Sequence, residues 1–360
     1  MSGRAVSRMV TLTREAKGWT QERLAKAADL SQGFLSKVEN GLLALEGEPL
    51  TRVSAALEVP VELLGSSEPV RGVEVTCLHH RRRASRMTVS TVRRIESVTH
   101  LTRLTVEGLT DGLELEPELT LRRMDVDAYD SPAEIARLLR AAWHVPTGPI
   151  TDVTGLVEAL GVFVVRRDLG TDAQDAVSTW PPHGAPVILV NRGLPPDRER
   201  FTLMHEVGHL VMHLIPVEDQ ERQANQFASE FLAPAVEIRP LLEGLTVRQF
   251  SKLAQLKLQW GLSMAALIQR ALDLDCISAN QFKSFRIRLN QYGWSEREPG
   301  DLPPEAPRAV DNVIDTQLAK HQDEAEVAAL ALMLPEPFRR HYLAHRAPSS
   351  ASPLTSEHPR

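Results

Sequence analysis

The stretch His205-Glu206-Val207-Gly208-His209 constrains this chain more than any other. In a helix, residues four apart stack on one face about one turn from each other. Two imidazoles so placed can share a single Zn²⁺ at about 2.0–2.1 Å. Glu206 falls on the adjoining edge, within reach of a metal-bound water but off the metal, which is where a general base belongs. The flanks favour a helix, because Phe201, Leu203, Met204, Val207, Leu210, Val211 and Leu214 recur at spacings of three and four. Pro195-Pro196-Asp197 marks its start and Pro216 its stop. Gly208 costs such a helix about 1 kcal/mol relative to Ala, a cost that makes sense where another backbone or a substrate comes close.

A catalytic zinc needs a third protein ligand and one open position. Glu221 is the best-placed candidate, at the start of a second helix whose buried face carries Ala224, Phe227, Ala228, Phe231 and Leu232. Asn225 lies four residues on, so it shares that face and can hydrogen-bond a ligand histidine from outside the metal sphere. Glu218 and Asp219 are rival ligands but precede the helix. His213 continues the i, i+4 series one turn further along the axis, which favours a supporting role over ligation. The Glu221–Asn225 pair resembles thermolysin-like gluzincins, in which a Glu is followed four residues later by an Asp.

With these residues in view, a broader resemblance emerges. His205 to His213, Glu221-x-x-Ala224-Asn225-x-Phe227-Ala228 and Phe231-Leu232-Ala233-Pro234 resemble the ImmA/IrrE family of metallo-endopeptidases. Pro132-Ala133-Glu134-Ile135-Ala136, Trp143 and Gly148-Pro149-Ile150 resemble that family's leading helix, and Pro186 to Asn191 the strand before its zinc helix. The resemblance spans about residues 130–295. It implies a zincin-like α/β core, zinc as cofactor, and limited cleavage of a helix-turn-helix repressor, which relieves repression after stress or in mobile elements. The β-branched run Val187–Val190 reads as a strand in its own right. Either it or Val177-Ser178-Thr179-Trp180 could be the edge on which an extended substrate is bound. His183, between them, reads as a loop histidine.

The N-terminus carries a different signature. Thr20 caps a helix that begins at Gln21, Asp29-Leu30-Ser31 makes a tight turn, and Ser31 caps a second helix from Gln32 to Glu39. Asn40-Gly41 ends it with residues that tolerate a left-handed backbone. Leu50, Val53, Leu57, Val61 and Leu64 supply the closing helices of a small all-α core. Residues 8–65 resemble the XRE family of phage-repressor-like DNA-binding domains, from Gln21 through Leu24-Ala25 to Leu35-Ser36 and Glu39-Asn40-Gly41. The resemblance implies that Gln21 and Asn40 touch phosphate while Gln32, Ser36 and Lys37 face base edges of double-stranded operator DNA. Gly33 departs from the pattern, since a base reader often stands there. Lys and Arg through residue 70 number eight against nine Asp and Glu, so binding as a homodimer is favoured over tight binding by a monomer. Between Arg71 and Arg103 the balance reverses, with eight arginines against Glu74 and Glu96. That cluster either adds phosphate contacts or pairs with the acidic remainder of the chain.

These features divide the chain into an all-α helix-turn-helix domain (1–68), a basic linker and connector (69–130), a metallopeptidase domain (131–295), a C-terminal helical extension (296–347) and a polar tail (348–360). The expected class is α+β, multidomain. Within the linker, Val73 to Cys77 alternates like a short strand and Met87 to Leu109 reads as helical. Gln259 to Met264 has a helix-turn-helix rhythm of its own, but packing against the peptidase core is favoured. No apolar stretch is long enough for a membrane span, and Cys77 and Cys276 are too few for a disulfide framework. A cytoplasmic location is expected. Two functions remain open: a DNA-binding regulator with a zinc endopeptidase that cuts a repressor or antitoxin-like protein, or a non-hydrolytic regulator whose protease-like domain senses, dimerises or binds a partner.

Overall fold

The computed structural model describes residues 4–66, 87–214, 217–294 and 297–344. The alternating run at 73–77, the arginines at 81–83 and 86, Pro216 and the polar tail lie outside the described residues. The first five helices, α1 (Ser7–Ala16), α2 (Gln21–Ala27), α3 (Gln32–Glu39), α4 (Gly47–Leu57) and α5 (Val61–Leu64), close over one core. Thr20 and Ser31 cap α2 and α3 by accepting from Arg23 N–H and Phe34 N–H. Leu24, Leu35, Val38, Val53 and Leu57 fill the interior. Gly41 takes φ +73° after α3, the conformation that suits glycine at a helix end.

A 22-residue helix, α6 (Val89–Thr110), follows. It packs on α1, where Met9 and Leu12 meet Leu104 and Leu63. The segment expected as linker therefore contains a structural strut. Residues 111–131 then run in an irregular path with one 3₁₀ turn at Val126–Ala128, and α7 (Pro132–Ala142) and α8 (Val153–Ala159) lead into the sheet.

The sheet has three strands, β1 (Phe163–Arg167), β2 (Ala176–Thr179) and β3 (Val187–Asn191), in the order β1-β3-β2. β1 runs parallel to β3 with Val165 opposite Leu189, and β2 runs antiparallel with Ser178 opposite Ile188. β3 is central, and β1 and β2 are the two edges, β2 being the one beside α9 (Pro196–Met212). Alternation along the strands feeds two cores. Val164, Ala176, Ile188 and Val190 face the helices α9 and α10 (Gln220–Leu232), while Val165, Val177, Val187 and Leu189 face the opposite way. Burial on both faces explains why the β3 run is apolar throughout.

Helices α11 (Ala235–Leu242), α12 (Phe250–Trp260), α13 (Met264–Asp273) and α14 (Ala279–Gln291) extend the first core. Met264, Leu267, Ile268 and Ala271 of α13 are buried in it, so the 259–264 turn joins packing helices, as expected. Helices α15 (Ala309–His321), α16 (Glu324–Leu330) and α17 (Pro335–Phe338) fold back to cover the second face of the sheet together with α6. The C-terminal extension thus completes a core that the N-terminal strut begins.

His100 on α6 is buried at 1% exposure, and neither ring nitrogen has a hydrogen-bond partner among the described residues. Burial, followed by the charges of Arg103 and Arg8, pushes its pKa from 6.5 down to about 4. Between those values the unfolded chain binds a proton that the folded chain refuses. This contribution to stability is therefore present above pH 6.5 and is lost as pH falls towards 4. We expect a loss of up to about 3 kcal/mol. Urea midpoints of wild type and His100→Leu at pH 7 and pH 4.5 check it. The variant should lose less on acidification, and equal losses would exclude His100 as the source.

Candidate metal centre

Helix α9 begins at Pro196, with Pro195 before it, and is buried along nearly its whole length between the sheet and α10. It carries His205, Glu206 and His209, each no more than 3% exposed. Helix α10 crosses against it closely because position 208 is glycine. A Cβ there would lie 3.1 Å from Phe227 Cδ1 and 3.4 Å from Ala224 Cα. Of the two reasons open for Gly208, the approach of a neighbouring helix is the one the packing supplies. That approach brings Glu221, at the first turn of α10, over the histidine face of α9.

The Nε2 atoms of His205 and His209 lie 3.0 Å apart. The Glu221 carboxylate oxygens are 3.6 Å from His205 Nε2 and 3.4 Å from His209 Nε2. Atoms about 2.0–2.1 Å from one tetrahedral ion stand roughly 3.3 Å from one another, so the three side chains have the spacing of a zinc ligand set.

The surrounding hydrogen bonds set both imidazole tautomers. The Asn225 amide oxygen can only accept, so His205 donates to it from Nδ1 at 2.9 Å and keeps its lone pair at Nε2. Gln223 Oε1 accepts from His213 Nε2 at 2.8 Å, which leaves His213 Nδ1 as acceptor for His209 Nδ1–H at 2.9 Å. Burial, with the neighbouring His209 second, pushes the His213 pKa down to about 4 and keeps that ring neutral. Two lone pairs 3.0 Å apart repel each other unless a cation lies between them. The residues present therefore fit zinc, with Asn225 and His213 in supporting positions and Gln223 behind His213.

Glu206 points from α9 towards the edge strand, where its Oε2 accepts from Ser178 Oγ at 2.7 Å. Gln223 and Ser178 had no assigned role from the sequence. Ser178 could have been found from strand period, which puts it on the same face as Ala176, towards α9. Gln223 carried no such signal. His183 sits in the exposed loop between β2 and β3.

At the other end of the chain, Gln32, Lys37 and Asn40 are exposed and Ser36 is half-buried on α3. Gln21 is held from behind. Its Nε2 donates to Glu39 Oε2 at 2.8 Å, and the same carboxylate receives Arg14 from Nε and a terminal nitrogen at 2.6 and 2.9 Å. Asn40 Nδ2 donates to the Ser36 carbonyl at 2.8 Å.

Residues 12–64 match the helix-turn-helix family model, and residues 157–272 match the model of the IrrE N-terminal-like domain, a peptidase family. The second match runs from within α8 to α13, so of the resemblance read over about residues 130–295 it covers 157–272. No curated protein matches the chain. The chain thus joins an XRE-type helix-turn-helix domain to a peptidase-type domain of the ImmA/IrrE kind. Among the described residues, no helix is long and apolar enough to cross a membrane.

Proposed function

We propose that this protein is a cytoplasmic DNA-binding regulator whose zinc-dependent endopeptidase domain cleaves another regulatory protein, a helix-turn-helix repressor or an antitoxin-like protein. The observation that carries this reading is the convergence of His205, His209 and Glu221 at ligand spacing, with both imidazoles oriented by their own partners. These three residues would hold zinc. Bound zinc supplies Lewis acidity for the scissile carbonyl and the attacking water. Glu206 takes the proton from that water and returns it to the leaving amine nitrogen. Asn225 and His213 hold the ligand rings, and Ser178 holds the Glu206 carboxylate towards the edge strand, where an extended substrate can add as a further strand.

The helix-turn-helix domain directs this chemistry to a promoter. Gln32, Ser36 and Lys37 face base edges of the operator, Gln21 and Asn40 position the domain on phosphate, and a homodimer reads two half-sites. Gln32→Ala together with Lys37→Ala should weaken binding at the native promoter by more than tenfold, since disrupting the readout of one base pair costs about 1–3 kcal/mol. Footprinting checks this, and unchanged protection would remove α3 as the reading helix. The peptidase is tested by incubating the zinc-loaded protein with each candidate helix-turn-helix repressor encoded near its own gene and resolving fragments by mass spectrometry. A single discrete cut is the expected result. An intact repressor, with no loss on addition of zinc, would reject the proposal in favour of a non-hydrolytic regulator.

A further inference from the structure

The edge strand β2 directs alternate backbone groups to its two sides. Asn191 N–H donates to the Asp175 carbonyl at 2.7 Å across the antiparallel pair. Odd-numbered residues therefore face β3, and Ala176 and Ser178 turn their carbonyls outward, a side that the same alternation extends to Trp180 just past the end of the strand. Two of these outward carbonyls are held by side chains. Gln174 Nε2 donates to the Ala176 carbonyl, and Arg123 donates from a terminal guanidinium nitrogen to the Trp180 carbonyl at 3.0 Å. The Arg123 N–H thus stands where a pairing strand would bring an amide.

Arg123 comes from the connector after α6, which is tied down on both sides of it. Leu119 N–H donates to the Ala159 carbonyl, Trp143 Nε1 to the Thr120 carbonyl, and Met124 N–H to the Val211 carbonyl at the end of α9. The guanidinium carbon lies 4.7 Å from the centre of the Trp180 ring. With Ser178, His209 and His213, Arg123 lines a cavity of about 20 Å³, room for about one water molecule. Among the described residues Arg123 has no ion pair; its cation rests on an indole face and a carbonyl.

We propose that Arg123 is a specificity-determining residue that selects substrates with an acidic side chain on the segment added to β2. This rests on the peptidase reading above. A substrate carboxylate offers the guanidinium a charged partner. Transfer to that carboxylate frees the Trp180 carbonyl for a substrate amide and widens the cleft beside His209. A neutral or basic segment gives no such exchange and meets the outer edge already occupied.

The test uses full-length, zinc-loaded Glu206→Gln protein and three fluorescein-labelled twelve-residue peptides that alternate Thr with Glu, Gln or Lys, so that every second position carries the tested side chain whatever the register. Anisotropy at low salt should show the Glu peptide binding about tenfold tighter than the Gln peptide, with Lys weakest. Arg123→Ala should make the three alike, and Arg123→Glu should reverse the order in favour of Lys. High salt should narrow the differences. Equal binding of the three peptides with Arg123 present would overturn the selectivity. Binding by none would overturn it together with the edge-strand docking on which it depends. Wild-type turnover is scored separately, so cleavage without charge preference defeats the role of Arg123 and leaves the peptidase intact.

Discussion

Glu206→Gln should retain zinc at the level of wild type and cleave its substrate about 10²–10⁴-fold more slowly. The substitution keeps the side chain's shape and leaves an oxygen to accept from Ser178 Oγ, the bond seen at 2.7 Å. What it removes is the ability to accept a proton from water. The ligand imidazoles keep their own partners, Asn225 for His205 and His213 for His209, so the metal site should not feel the change. Zinc by elemental analysis and fragment formation by mass spectrometry separate the two effects. Loss of zinc along with cleavage would mean that Glu206 supports the ligand set and is not a base. Cleavage at the wild-type rate would remove it from the chemistry.

The second large effect is expected at Glu221. Glu221→Ala should weaken zinc binding by more than about 100-fold, beyond the 10–100-fold cost typical of losing a supporting residue such as Asn225. Its carboxylate oxygens stand 3.4 and 3.6 Å from the two Nε2 atoms, and no other carboxylate among the described residues completes a cluster with them. A chelator competition on wild type, Glu221→Ala and Asn225→Ala ranks the three. If Glu221→Ala binds zinc as tightly as wild type, Asp219 or His213 becomes the third ligand. His213 would then have to give up the bonds that now set the His209 tautomer.

Much of the centre was readable in the chain because helix geometry is local. Residues four apart must share a face, so His205 with His209 and Glu221 with Asn225 form pairs on any α-helix. The helix-turn-helix was readable for the same reason. Its caps at Thr20 and Ser31 are decided within three residues, and the observed bonds to Arg23 and Phe34 amides follow that rule. The Val187–Val190 run announced a strand, yet which strand formed the edge was open, because alternation describes faces and not neighbours. The order β1-β3-β2 settled it in favour of β2.

Sequence spacing alone therefore placed two histidines on one helix face, a partner face on the next helix, and a helix-turn-helix module far from both along the chain. Only tertiary structure decided how Ser178 meets Glu206 from 28 residues away, how Gln223 reaches His209 through His213, and how Arg123 comes to stand at the cleft. It also decided that α6 and the C-terminal helices share one core on the far side of the sheet. Local periodicity is set by backbone geometry, which every stretch of chain carries within itself. Contacts between distant segments depend on which buried faces pair, and that choice is made by the packing of the whole chain.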